Sequence, residues 1–267
     1  MYLFTCIIIA IIIGKTNNFN AIPFYLLFAA NIPFVFEFCL PFLNHFWSIG
    51  VEEQFYLFWP WIIKKIKKNL MPFLLLLFVI INIIRYFLWW KFPFSEGAIF
   101  SIVNRFDCMM IGGIGAILYE SQNQLFIKFV DSKTAQLIAW FAILFVAFNF
   151  KFVNAIVDTT IITFVSLILI VGQINKKNRL INLDIPIFNF IGKISYGIYV
   201  YHVLVIFLFS LLYKDVMINE ISKIVLIYVS IVVATIIIAY ISYEYFEKRF
   251  IKMKDRFAII KSSSSNN

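Results

Sequence analysis

The sequence predicts an all-α integral membrane protein, a polytopic bundle of about eight or nine transmembrane helices. Three observations carry that reading: 63% of its 267 residues are hydrophobic, only 14% are charged, and apolar runs of helical length alternate with short basic segments. Soluble domains hold roughly 45–50% apolar and about 25% charged residues, and the mean hydropathy of +0.92 lies far on the membrane side of that composition. Open sheets cannot cross lipid, so the runs are read as helices.

The runs fall at 1–14, 21–41, 46–63, 70–90, 98–119, 135–150, 153–174, 194–213 and 221–246. Each span needs about 20 residues. The first run lacks the basic n-region and small-residue cleavage site of a signal peptide and reads as a helix begun midway. Pro23, Pro33, Pro41, Asn31 and Glu37 interrupt 21–41, which is expected to be re-entrant or interfacial. Residues 1–260 form one transmembrane domain in this reading, and the polar stretch 261–267 is a disordered tail.

Basic residues cluster in alternate connections: Lys64, Lys65, Lys67 and Lys68; Lys128 and Lys133; Lys176, Lys177 and Arg179; then Lys248, Arg249, Lys252, Lys254 and Arg256. The opposite connections carry Lys91, Lys151 and Lys214. The positive-inside rule places the first set, and with it the C-terminus, in the cytoplasm. It also explains the net charge of +9 without a nucleic-acid partner. Cys6, Cys39 and Cys108 show neither metal-ligand nor disulfide spacing, and no metal site is signalled.

An ionisable group at bilayer depth costs on the order of 2.5–3.5 kcal/mol on insertion scales, so such groups mark polar cavities or pathways. The densest group is Trp47-Ser48-Ile49-Gly50-Val51-Glu52-Glu53-Gln54-Phe55-Tyr56, preceded by His45. At 1.5 Å per residue Glu52 lies about 18 Å from Lys64 along a helix. Spacing of three or four aligns Ser48, Glu52 and Tyr56 on one face, with His45 and Trp59 less squarely placed. Interfacial anchoring by Trp47, Tyr56 and Trp59, with Glu52 and Glu53 at the water boundary, is the competing reading. Arg105 and Asp107 read as partners in an intramembrane network. Arg85 and Asp158, near the ends of their spans, read as snorkelling to the outer interface.

Residues 47–60 resemble the Trp-Ser-Leu-x-x-Glu-x-Gln-Phe-Tyr-Leu signature of the acyltransferase family 3 membrane proteins. Arg105-Phe106-Asp107 ahead of Gly112 and Gly113 is similar to the family's Arg-x-Asp-x-x-x-x-Gly segment, and Gly192 to His202 to its Gly-x-x-Ser-Tyr-x-x-Tyr-x-x-His stretch. Glu247-Lys248-Arg249-Phe250 resembles the family's Glu-Arg-Pro-Phe, with Arg249 in place of Pro. The Arg and His of the family's first helix, and the Arg-rich segment before its third, match nothing here. The expectation is therefore a chain lacking its first helices.

The resemblance implies O-acyl transfer, most often of acetyl, from a cytoplasmic acyl-CoA to a hydroxyl of a cell-surface sugar or polysaccharide at a bacterial inner membrane. It implies no bound cofactor. Glu52, His202, Ser48 and Arg105 are the candidate catalytic residues; Trp47, Gln54, Tyr56, Asp107, Ser195, Tyr196 and Tyr199 are the candidate substrate-binding residues. His202 shares a helical face with Ser195 and Tyr199, where it also fits a structural role gluing helices. Lys64 to Lys68 can attract a coenzyme A phosphate. Two alternatives stay open: a catalytically dead remnant or accessory subunit, and a transporter of small molecules or lipid-linked sugars.

Overall fold

A computed structural model describes residues 2, 5–7, 18–66, 69–175, 178–212 and 221–257. The first apolar run apart from residues 2 and 5–7, the cations Lys67, Lys68, Lys176, Lys177 and Lys214, and the tail 261–267 lie outside the described residues.

Among the described residues every regular element is helical. We label them α1 Ile22–Leu26, α2 Asn31–Val35, α3 Trp47–Ile66, α4 Leu70–Lys91, α5 Glu96–Val103, α6 Phe106–Glu120, α7 Gln124–Val130, α8 Lys133–Ala147, α9 Ala155–Ile174, α10 Pro186–Leu212, α11 Ile221–Ser242 and α12 Lys248–Phe257. Short 3₁₀ turns span Phe19–Ala21 and Asn44–Phe46, and one π-helical stretch, Tyr243–Glu247, joins α11 to α12.

Among the described residues five helices are long and apolar enough to cross a membrane: Leu70–Lys91, Glu96–Glu120, Ala155–Ile174, Pro186–Leu212 and Ile224–Met253. A sixth arises if α7 and α8, bent by 55° at their junction, count as one broken span. Five or six of the eight or nine spans expected from the sequence are thus found among the described residues, and the first apolar run lies almost wholly outside them. Run 21–41 is cut into two five-residue helices, and the 20-residue α3 carries Glu52, Glu53, Lys64 and Lys65 along its length. In the five spans only 11–28% of the apolar window is buried within the chain. So much exposed hydrocarbon requires a lipid solvent.

The chain divides into two compact units, one of Met1–Asn17, Leu40–Leu43 and Asp184–Asn267, the other of Asn18–Cys39 and Asn44–Leu183. The second unit holds α1 to α9. Its boundaries follow local chemistry. Ser95, Asn123, Ser132 and Asn154 cap the N-termini of α5, α7, α8 and α9 by accepting backbone N–H bonds, which satisfies donors that a helix start leaves orphaned. Run 98–119, expected as one helix, breaks at Asn104 and Arg105, whose ψ angles of 88° and 43° leave the helical region. The break puts Asp107 in the first turn of α6, where the helix dipole favours a carboxylate.

Two apolar clusters fix α3 in this unit. Phe55, Leu74, Met110 and Ile114 join α3 to α4 and α6, and Val35, Val51 and Val103 join it to α2 and α5. Gly50 permits a close approach of backbone: a Cβ there would meet Ala30 N and Phe28 O at 3.0 Å. On the same side Gln54 donates to Phe28 O at 3.2 Å and to Asn31 Oδ1 at 2.8 Å, while Asn31 donates to Asn104 Oδ1 at 2.9 Å. These amides lock the α1–α2 turn, where Phe28 has φ 55°, onto α3 and the α5–α6 break. At the other end of the unit, buried Gln136 donates to Val130 O and Asn178 O and accepts from Leu180 N, holding the segment after α9.

The first unit is built on α10 and α11. Gly197 lets them close, its position lying 3.1 Å from Ala239 Cβ for an added Cβ. Tyr201 and Ser242 hydroxyls meet at 3.1 Å across the pair.

Candidate functional site

The α3 register predicted from spacing places its polar face as expected. Tyr56 donates its hydroxyl to Glu52 Oε1 at 2.7 Å, one helical turn away. Ser48, a turn earlier, donates to the His45 carbonyl at 3.3 Å. His45 itself sits in the 3₁₀ turn before α3, its ring edge-on to Phe46 at 4.6 Å, and Trp59 stacks on Phe55 at 4.9 Å. Neither lines the pocket that Ser48, Glu52 and Tyr56 face. Pro60, inside α3, offers no N–H to the Tyr56 carbonyl and loosens the helix beside this face.

That pocket, about 470 Å³, is lined by Trp47, Ser48, Val51, Glu52, Phe55 and Tyr56 of α3 and by Arg105, Cys108 and Met109 of the α5–α6 junction. Arg105 is the residue before α6, and its guanidinium carbon lies 5.6 Å from the Trp47 ring centroid. Such cation–π packing contributes about 0.5–1 kcal/mol at exposed sites and orients a cation without neutralising it. Carboxylate, phenol, hydroxyl and guanidinium therefore surround one space.

The expected Arg105–Asp107 partnership is corrected by the structure. Residues two apart on a helix do not face each other. Asp107 turns instead toward α4 and receives a two-pronged contact from Arg85, Nη1 to Oδ2 at 2.8 Å and Nη2 to Oδ1 at 2.7 Å. Arg85 also donates from Nε to Ser101 O at 2.9 Å. The two side chains are 2% and 1% exposed. Arg85, expected to snorkel outward, thus anchors the start of α6 from within. α4 and α6 pack together at this level, and the fork geometry of guanidinium and carboxylate stabilises both charges there. The consequence for the site is positional: with Asp107 pinned, Arg105 is presented to the pocket.

The other candidates divide. Gln54 has its amide committed to Phe28 and Asn31, so it braces α3 rather than lining the pocket. Ser195, Tyr196, Tyr199 and His202 all belong to α10, in the other unit. Ser195 donates to Gly192 O at 2.9 Å, His202 Nδ1 lies 2.7 Å from Tyr199 O, and the Tyr199 and His202 rings are 5.7 Å apart. His202 borders a mainly apolar cavity of about 930 Å³ between α10 and α11. Asp158 accepts from Phe152 N and Val153 N at 3.2 and 2.9 Å, closing the turn into α9. Among the described residues no group of three His, Cys, Asp or Glu side chains is placed to hold a metal ion.

Spacing within α3 pointed to Glu52 and Tyr56, but it missed the Asn31–Gln54–Asn104 amides and Cys108 in the pocket wall. An Asn inside an apolar run was the available signal for Asn31. Cys108 gave none.

Fold and site define a helical membrane protein with an open, mainly apolar pocket on α3, edged by Ser48, Glu52, Tyr56 and Arg105. The acyltransferase domain family model matches residues 1–244, so the chain belongs to acyltransferase family 3 and is a membrane acyltransferase. Comparison with curated proteins and with solved structures gives no significant match to either.

Proposed function

We propose that the chain transfers an acyl group, acetyl in the first instance, from a cytoplasmic acyl-CoA to a hydroxyl of a cell-surface sugar, at a bacterial inner membrane with its C-terminus in the cytoplasm. The observation that carries this reading is the convergence of Glu52, Tyr56 and Arg105 on one pocket. A carboxylate that already accepts the Tyr56 hydroxyl is held in one rotamer and keeps a second oxygen for a substrate proton.

The step these groups support is simple. Glu52 takes the proton of the acceptor hydroxyl as its oxygen bonds to the thioester carbonyl carbon. The carbonyl electron pair moves to oxygen, where the Arg105 guanidinium meets the developing charge. Collapse re-forms the carbonyl, breaks the carbon–sulfur bond and releases the coenzyme thiolate, which takes up the proton. Ser48 and the Trp47 face border the acyl group in this arrangement. Asp107 acts through Arg85 as a positioning residue, and His202 serves the α10–α11 pair.

A second groove supports the donor's approach. About 790 Å³ in volume, it shares Phe55, Tyr56 and Met109 with the first pocket and continues past Trp59, Gly112, Gly113 and Ala116 to Ile63, Leu70 and Glu120. Its far end reaches Ile63, the residue before Lys64 and Lys65 in α3, cations suited to coenzyme phosphates, and its walls suit an acyl and pantetheine arm.

Replacing Arg105 with Ala is expected to lower kcat about 10²–10³-fold, the range for loss of one oxyanion donor, with the donor KM altered far less. Initial rates of labelled-acetyl transfer in membranes, varied in acetyl-CoA, check this. An Arg105→Ala chain that keeps wild-type kcat sinks the oxyanion role.

A further inference from the structure

The reacting pocket has a neighbour on its other side. A space of about 590 Å³ is bounded by α6, by the end of α8 with the turn after it, and by α9. Arg105, Cys108 and Met109 line both spaces, so the Arg105 side chain stands at a common wall.

The chemistry of this second space differs from that of the donor groove. On α9, Ala155, Thr159, Ile162, Thr163 and Ser166 face it, a stripe at helical spacing that brings three hydroxyls into line. Asn149 and Lys151 contribute from the turn between α8 and α9, and Asp158 from the first turn of α9. A hydroxyl stripe on a membrane helix gains nothing by facing lipid tails. Thr159 donates to Ala155 O at 2.7 Å and Thr163 to Thr159 O at 2.8 Å. The Thr159 proton is directed into its own helix, which leaves its oxygen lone pairs as acceptors for external O–H groups. Asn149 adds an amide from a left-handed residue, φ 62°, at the end of α8. The turn carries Lys151 alone as a cation and so belongs to the side opposite the basic connections.

We infer that this space is the acceptor subsite, holding a hydroxyl-rich saccharide by Asn149, Thr159 and Ser166 so that one of its hydroxyls passes Arg105 and reaches Glu52. The inference rests on the acyl-transfer reading and adds to it the residues that select the acceptor. Thr163, bonded to Cys108 Sγ at 3.1 Å, fixes the wall between the two spaces.

The test uses the full chain in membranes, labelled acetyl-CoA as donor, and a panel of methyl glycosides, neutral and acidic, as acceptor probes. Thr159→Val and Ser166→Ala remove hydroxyls with little change of shape, and Asn149→Gly removes the amide at a φ that glycine adopts freely. The combined Thr159→Val/Ser166→Ala chain is expected to raise the glycoside KM about tenfold or more, with kcat within about twofold and the acetyl-CoA KM unmoved. Asn149→Gly, made separately in case the double variant fails to fold, is expected to raise the glycoside KM in the same way. An unchanged glycoside KM in both, or a rise in the acetyl-CoA KM instead, overturns the subsite. Release of coenzyme A without acylation of any glycoside overturns the saccharide assignment while leaving the Glu52 chemistry standing. A wild-type chain that releases no coenzyme A removes the acyl-transfer reading and this inference with it.

Discussion

A Glu52→Gln chain is expected to fold normally and to lose about 10²–10⁴-fold in acyl transfer, the range for removal of a general base. Glutamine keeps the size of the side chain and can still accept the Tyr56 hydroxyl, so the bond at 2.7 Å has a neutral replacement. What it cannot do is take a proton from an acceptor. Glu52 is exposed to its pocket, so folding does not depend on its charge. Transfer rates at saturating acetyl-CoA, together with the amount of chain extracted from membranes, separate the two effects. A Tyr56→Phe chain should fall between wild type and Glu52→Gln, because it loses the orienting bond and keeps the base.

The largest loss of stability is expected from Asp107→Ala. Removing one partner of a buried pair typically costs 3–5 kcal/mol, because the other charge is left without compensation. Here the residue left behind is Arg85, 2% exposed and otherwise bonded to the Ser101 carbonyl. Total stability of a domain is of order 5–15 kcal/mol, so much of the chain should fail to accumulate. The combined Arg85→Met/Asp107→Leu variant removes both charges and fills the space. It should recover folded protein to near the wild-type level, since apolar replacement of a buried pair is often neutral. Thermal stability of the detergent-extracted chains measures both, and equal losses in the single and double variants would show that the pair is not what holds α6.

How far the sequence reached can be judged residue by residue. Glu52 and Tyr56 were legible because both lie on α3, and a helix makes residues four apart neighbours whatever surrounds it. The prolines of 21–41 argued against one straight span, and the run folds as two five-residue helices. Arg85 and Asp107 were not, because 22 positions separate them and only the packing of α4 on α6 brings them together. Asp107 was instead assigned to Arg105, the nearest cation in sequence and the one whose geometry forbids the bond. The same limit applies to Gln54: its type suggested a substrate contact, but its partners Phe28 and Asn31 come from a turn whose position the chain reveals only when folded. The expected eight or nine spans exceed the five or six found among the described residues, and part of that difference lies in α3. Hydropathy averages over a run, and α3 keeps a high apolar content while carrying four charges.

The most direct measurement is O-acylation itself. Inside-out vesicles holding the wild-type 267-residue chain are supplied with labelled acetyl-CoA outside and a glycoside acceptor within. The account predicts alkali-labile label on the enclosed glycoside, absent from vesicles carrying Glu52→Gln. Label that never leaves the donor, or that appears equally with Glu52→Gln, contradicts it.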